Sequence, residues 1–378
     1  MVLPPDILII GAGAVGLASA LELTQRGARV TLLDRGRSGS ESTWAGGGIL
    51  SPLLPWNYSA AVNALSEYSR QIFPNWCARQ ESLTGLDAEY QVSGMLVLPP
   101  FDETDALVWC RRHGWRCELR DSAVLLPAIE ARQALWLPDV AQARNPRLAQ
   151  VLRAAALAVG VNIVEMAAVT RLMVAGGRIS GVKTTQGDFA AAAVVVAAGA
   201  WSGGLPGIDA LSERVFPVRG QMLLFKLPPE SLSESLPTIV LQNGHYLIPR
   251  RDGHVLAGST LETAGFDKST TDAARLELLA FAGGILPTLT EQCLQQHWSG
   301  LRPGSPDNIP LISPHPDCAN LYFNSGHFRY GVTMAPASAQ VLADLIEGKS
   351  PTISAAPYAF STHFAATGEI NMPQVAAN

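Results

Sequence analysis

Hydrophobic positions near the start of the chain follow two rhythms. Residues 7–10 are an unbroken apolar run, the pattern of a strand buried on both faces of a parallel sheet. An Ala/Leu-rich segment with helical spacing follows and stops at Gly27; a second apolar run, residues 30–33, ends at Asp34. The stretch DILIIGAGAVGLASALELTQRGARVTLLD therefore predicts strand, helix, strand. The same reading predicts a helix over residues 145–159 closed by Gly160, then short strands at 162–164, 169–174 and 179–185, with turns at Gly176-Gly177 and Gln186-Gly187. Another apolar strand begins at Ala193 and ends in Ala198-Gly199-Ala200-Trp201. Later, residues 321–323 read as a strand, Gly326 and Gly331 bound a polar turn, and an amphipathic helix is expected from about Pro336, its N-terminus open to a ligand.

Two stretches do not share that rhythm. Residues 86–139 and 212–299 carry period-2 alternation, as in 221–225 and 245–249, and predict a second, mostly β domain interleaved with the first. The expected division is residues 1–85, 140–211 and 300–365 for one domain, 86–139 and 212–299 for the other, and a tail at 366–378. The polar Pro/Ser run LPPESLSESLP, residues 227–237, reads as a loop.

Composition narrows the function class. The 378 residues are 48% hydrophobic and 16% charged, which suits a large buried core and excludes a disordered chain. The net charge of −5, without any Lys/Arg-rich run, argues against a nucleic-acid partner. No positively charged leader and no long apolar run is seen, so neither a signal peptide nor a membrane-spanning helix is expected. Cys77, Cys110, Cys117, Cys293 and Cys318 are odd in number and widely spaced, which reads as reduced thiols in a cytoplasmic protein and as neither a disulfide nor a zinc framework.

The glycines between the first strand and helix supply the first chemistry. Gly11, Gly13 and Gly16 have G-x-G-x-x-G spacing, with Ala14 and Val15 between them. Gly11 permits a tight turn, Gly13 lets the backbone approach a pyrophosphate, and Gly16 allows close helix–strand packing. The helix N-terminus faces the phosphates, and Asp34 accepts from a ribose hydroxyl. Arg35 follows directly, and Ser42, Thr43, Trp44, Ala45, Gly46, Gly47 and Gly48 come soon after. Three successive glycines suit close backbone approach to a flat, bulky group, so the expected dinucleotide is FAD and not a nicotinamide cofactor. Ala198 and Gly199 mark a second close approach, and Val169 is placed at the adenine end, although an ordinary core valine fits there equally well.

Arg302 poses the other question. It sits in SGLRPGSPDNIP, between Leu301 and Pro303, and its charge does not titrate away when buried. Either an anion meets it inside the protein, a structural partner such as Asp307 or Glu291 pairs with it, or it lies at the surface.

The combination of GAGAVG, STWAGGGILSP, VAAGAWS, YLIPR, GLRPGSPD and GHFRYGVTMAP resembles the D-amino-acid oxidase superfamily, and within it the glycine oxidases associated with thiamine synthesis, from about Asp6 to Gly348. The resemblance implies an α/β (α+β) fold: a Rossmann-like, glutathione-reductase-like FAD-binding domain interleaved with an antiparallel, mostly β substrate-binding domain. It implies that Arg302 binds the substrate carboxylate with help from Tyr246. It implies that Gly326, His327, Phe328, Arg329, Tyr330, Gly331, Val332 and Thr333 wrap the isoalloxazine, with Arg329 also near the substrate. The implied reaction takes glycine, and sarcosine or small D-amino acids, to the imine by hydride transfer to flavin N5. The imine hydrolyses to glyoxylate and ammonia, and dioxygen is reduced to hydrogen peroxide. A homotetramer is likewise implied.

His245 is a candidate pocket wall, and His327 contributes mainly backbone. His113, His254, His297, His315 and His363 read as surface or core residues without metal-ligand spacing. Cys318 does not occupy the superfamily's flavin-attachment position, so FAD is expected to be non-covalent. Ser313 stands where related sequences often carry glycine, and Trp44, Trp56 and Trp76 are read as reshaping the entrance. The competing readings are a D-amino-acid dehydrogenase passing electrons to a quinone, a sarcosine oxidase, a tRNA-modifying flavin domain and a non-catalytic flavin protein.

Overall fold

Apolar runs too short to stand alone pair into one sheet beneath the glycine turn. The computed structural model describes residues 6–130, 132–208 and 214–360. In it Ile7–Ile10 and Val30–Leu33 pair in parallel from Ile7↔Val30 to Ile10↔Leu33, and helix Ala14–Gln25 connects them. All residues of both strands are buried, which explains runs without polar alternation. The six-stranded sheet has the order Leu311–Pro314, Leu321–Ser325, Ala193–Val196, Ile7–Ile10, Val30–Leu33, Asn162–Val164, with only the first pair antiparallel. Strands Val169–Ala175, Arg178–Thr184 and Gly187–Ala190 form a separate antiparallel sheet.

The two stretches with period-2 alternation build an eight-stranded sheet. Its order is Leu294–Gly304, Phe216–Lys226, His254–Gly258, His245–Pro249, Ile239–Gln242, Met95–Val97, Gln133–Leu137, Glu118–Asp121. Alternation divides its two faces. Leu223, Phe225, Leu247, Val255 and Ala257 pack with Leu278, Ala282 and Ile285 of helix Asp272–Ile285. Met222, Tyr246, Ile248 and Leu256 turn the other way, into the core that holds Leu17 and Leu21 of the first helix. The mixed α/β fold is the one expected. Strand Leu294–Gly304 runs straight through the expected boundary at residue 300, so Arg302 stands on the eight-stranded sheet.

Three expectations change. Residues 229–235 form a short helix, not a loop: Pro229 suits the first helical turn, and Leu232 and Leu236, one turn apart, are buried. The last long helix is Gly331–Ile346 and so starts before Pro336, which falls in its second turn at the cost of one backbone hydrogen bond. A 25-residue helix, Ala60–Thr84, was not anticipated. The tail 366–378 and His363 lie outside the described residues. No helix among the described residues is long and apolar enough to cross a membrane.

Candidate active site

A continuous cleft of about 410 Å³ lies between the C-terminal ends of the parallel strands and the face of the eight-stranded sheet that carries Tyr246. That volume is within the ~300–1,000 Å³ usual for small-molecule sites. Sequence alone brings its two ends together poorly, because they come from different sheets.

At the glycine-turn end, Gly11, Gly13, Ala14, Val15, Asp34, Arg35, Ser42, Thr43, Ala45, Gly46, Gly47 and Gly48 all line the cleft. Gly11 has φ +108°, and a Cβ there would lie 2.4 Å from the Ala197 carbonyl oxygen. Gly16 faces away from the cleft and against the turn, as its packing role requires. The half-buried Asp34 carboxylate accepts from Ala12 N–H (2.7 Å) and Gly36 N–H (2.7 Å), which ties the turn to the second strand. Burial raises its pKa. Thr43 Oγ1 accepts from Ala14 N–H at 2.9 Å. Arg35 lies over the Trp201 ring, 3.5 Å from its centroid, and Phe266 stacks on the same indole at 5.7 Å. Trp201, Phe266, Val169, Ala198 and Gly199 all line this end.

Within the triple glycine only Gly48, at φ +78°, is required by backbone contact; the other two crowd side-chain ends. A Cβ at Gly46 would meet Asn145 Nδ2 at 2.7 Å, one at Gly47 would meet Ile248 Cδ1 at 2.8 Å, and one at Gly48 would meet the Ala143 carbonyl oxygen at 2.0 Å. Arg250, buried at 5% exposure, donates to Gly47 O at 2.5 Å and to Gln142 Oε1 at 2.6 Å and so holds this loop on the sheet. Nothing in the sequence distinguished Arg250 from other motif arginines.

The other end is a floor of strands. Arg302 and Tyr246 both line it, with Gly220, Met222 and Gly300. Strand register puts Val218↔Arg302, Gly220↔Gly300 and Met222↔Trp298 side by side, and Met222 and Tyr246 both pair with Gly258. These positions share one face. The Arg302 guanidinium crosses Gly220, where a Cβ would lie 2.1 Å from Nη1. Arg302 donates to Ser259 Oγ (2.7 Å), Thr260 O (3.2 Å) and Arg219 O (3.3 Å), and no described carboxylate pairs with it. Glu291 is taken by Arg275. Burial, then the neighbouring Arg329, lowers the Arg302 pKa to about 10, so it stays charged at neutral pH. Arg329 also lines the cleft and donates only to Gly244 O at 3.4 Å. Burial opposes its charge, but Tyr58, Tyr330 and Tyr246 more than offset that and raise its pKa. Both guanidinium groups are partly buried and neither pairs with a carboxylate among the described residues; two such charges facing one cleft call for an anionic ligand. The N-terminus of helix Gly331–Ile346, uncapped by any side chain and without an acid in its first turn, adds to the same positive field.

His327, Phe328, Arg329, Tyr330, Gly331, Val332 and Thr333 line the cleft, whereas Gly326 stands behind it, its carbonyl accepting from Ser305 Oγ at 2.6 Å. Three buried polar atoms of cleft-lining residues lack partners: Asn145 Oδ1, Asn324 Oδ1 and His327 Nε2. Burial lowers the His327 pKa to about 3, so this imidazole is neutral. Unpartnered donors and acceptors around a long cleft with a phosphate turn fit a dinucleotide with a polar ring system.

Several expectations move. His245 does not line the cleft; its Nε2 meets Glu277 at 3.0 Å. Trp44, Trp56 and Trp76 do not line it either: Trp44 packs edge-on against Trp298, and Trp76 against Phe73. Ser313, away from the cleft, accepts from Phe360 N–H at 3.0 Å. None of the five cysteines lines the cleft, and no cluster of metal-ligating side chains occurs among the described residues. Met222, Gly220, Gly300, Trp201 and Phe266 have roles in the cleft that their local sequence does not announce; only the pairing of distant strands could have found the first three.

A family model described as FAD dependent oxidoreductase matches residues 6–345. The glycine oxidase of Pseudomonas aeruginosa is 44% identical to this chain over 359 residues, 93% of this chain and 98% of that protein. The bifunctional protein ThiO/ThiG of Trichormus variabilis is 33% identical, over 91% of this chain and 53% of that protein. The crystal structure of glycine oxidase from Geobacillus kaustophilus matches with a TM-score of 0.88 at 28% identity, covering 96% of this chain and 99% of that one.

Proposed function

This chain belongs to the FAD-dependent oxidoreductase family, and on that premise we propose that it oxidises glycine, with sarcosine and small D-amino acids as further substrates, to glyoxylate, ammonia and hydrogen peroxide. The observation that carries the reading is Arg302: a charged guanidinium on the cleft floor without a carboxylate partner among the described residues, beside the phenol of Tyr246. A planar guanidinium suits a bidentate carboxylate. In this reading the eight-stranded sheet binds substrate and the six-stranded sheet holds the cofactor.

Gly11 to Gly16 and Asp34 would hold the pyrophosphate and ribose of FAD, and Gly46 to Gly48 with residues 327–333 would hold the flavin ring. When bound, FAD supplies the two-electron oxidation, accepting hydride from the substrate Cα at N5 and returning the electrons to dioxygen. The chain's own groups prepare the substrate. Arg302 and Tyr246 fix the carboxylate and so aim Cα. The positive field of Arg302 and Arg329 disfavours the ammonium form, which leaves the amine neutral as hydride departure requires. Hydride transfer needs no side chain as a base at Cα. Water then hydrolyses the released imine. Similarity to a ThiO/ThiG protein supports a place in thiamine thiazole synthesis.

The test is the visible spectrum of purified holoprotein under anaerobic conditions. Glycine should bleach the flavin, and air should restore it with release of peroxide. A flavin that bleaches but recovers only with a quinone would make the protein a dehydrogenase. A flavin left oxidised by glycine, sarcosine and D-alanine would remove the proposal.

A further inference from the structure

The cleft floor has a composition that neither the glycine turn nor Arg302 explains. Two of its positions, 220 and 300, are glycines, and a third glycine, Gly258, lies beneath it in the register of the neighbouring strand. One large apolar side chain stands among them, Met222. It lies on the same strand as Gly220 and on the same face, about 7 Å further along by the rise of a strand. It is 3% exposed and lines the cleft. Its sulfur accepts from the Tyr246 hydroxyl at 3.4 Å. It also lies over Gly258, where a Cβ would be 2.2 Å from Sδ. The guanidinium of Arg302 crosses Gly220. A carboxylate gripped there and by Tyr246 therefore has Met222 as its neighbour on the floor.

We infer that Met222 is a specificity-determining residue: its side chain fills the floor beside the carboxylate site and restricts the substrate to amino acids with little or nothing on Cα. The inference rests on the substrate reading proposed above. A thioether is flexible and fills irregular space, so a larger substituent must displace it from Tyr246 as well as from Gly258. A hydrophobic pocket discriminates one methylene by about 10- to 200-fold. Truncating Met222 to alanine frees the space of three heavy atoms, Cγ, Sδ and Cε, more than one methylene.

The experiment uses FAD-loaded protein and anaerobic flavin reduction by glycine and by D-2-aminobutyrate. Met222→Ala should shift the ratio of reduction efficiencies toward D-2-aminobutyrate by at least about tenfold. Met222→Leu keeps the bulk without the sulfur acceptor and should hold the wild-type ratio; a tenfold shift there too would mean that the sulfur, and not the volume, sets specificity, and would overturn the inference. Met222→Val is the substitute if the alanine variant does not fold, with the same direction expected. A second readout needs no turnover: spectral titration of the oxidised flavin with acetate and butyrate, where Met222→Ala should tighten butyrate relative to acetate. An unchanged ratio in both assays, with FAD retained, sinks the inference while leaving the substrate reading intact. Wild-type flavin that no small amino acid reduces would instead sink the substrate reading.

Discussion

The two ends of the cleft are built in opposite ways. The glycine-turn end is local: Gly11 to Asp34 form one strand–helix–strand unit, and Asp34 reaches back to Ala12 N–H across the turn. The floor is assembled from distance. Arg302, Gly220, Met222, Gly258 and Tyr246 come from four strands, brought together only by register. A site made of adjacent residues is anchored by backbone geometry and fails together with the fold. A site made of register is held by side chains, which can be changed while the sheet survives. Cofactor retention and substrate chemistry should therefore separate on mutation.

The largest separation is expected from Arg302→Ala. Removing one partner of a buried charge-assisted pair costs ~2–5 kcal/mol, or about 30-fold to several thousand-fold in kcat/KM for glycine. FAD content should stay at the wild-type level, since the hydrogen bonds of Arg302 go to Ser259, Thr260 and Arg219 on the strand floor and not to the glycine turn. Loss of FAD in this variant would break the comparison. Gly11→Ala is the converse. Its Cβ would enter the Ala197 backbone at a φ that only glycine adopts without strain. Destabilisation of about 2–5 kcal/mol and loss of bound FAD on gel filtration are expected.

Gly220→Ala sharpens the argument. The atom in its way is the flexible end of Arg302, not backbone, so the guanidinium should shift and the sheet should not. Misplacement of about 1 Å costs up to about 10²-fold in efficiency. The thermal midpoint should hold or rise, because alanine replaces glycine in a strand. A variant with lost stability and intact turnover would contradict the assigned contact.

The smallest effect lies behind the turn. Glu165 accepts from Ser38 N–H (2.9 Å) and pairs with Arg153 (3.1 Å). Burial pushes its pKa up, but these partners overcome that and bring it down to about 2. A depressed carboxyl pKa contributes stability that is present above its unfolded value of about 4.5 and lost as pH falls toward 2. Solvent screens this half-exposed group, so Glu165→Gln should cost less than about 1 kcal/mol at pH 7. The difference from wild type in urea midpoint should shrink as pH drops from 5 to about 3; a constant difference would rule out the charge as its source.

This contrast also explains what the sequence made legible. The strand, turn, helix and Asp34 were readable because their signals lie within one unit of thirty-odd residues. Arg302 was readable as an anomaly, a charge among apolar and turn-forming residues, and family resemblance supplied its role. Gly220, Met222 and Gly258 were not readable: each is an ordinary strand residue until Phe216–Lys226 is laid beside Leu294–Gly304 and His254–Gly258. The glycines at 46, 47 and 48 were readable as a close approach, but that the Ala143 carbonyl also demands Gly48 was not. Helix Pro229–Ser235 was missed because its buried positions, Leu232 and Leu236, are too few to show a period amid Pro and Ser.

The most direct test of the floor is a titration of oxidised holoprotein with acetate, a carboxylate that cannot be oxidised at Cα, followed through the flavin spectrum in wild type and Arg302→Ala. A saturable spectral change in wild type, weakened at least about 30-fold in the variant at equal FAD content, is the result predicted from a lost charge-assisted pair. Equal acetate binding by both proteins would show that the anion meets some other group, and that Arg302 is not the carboxylate site.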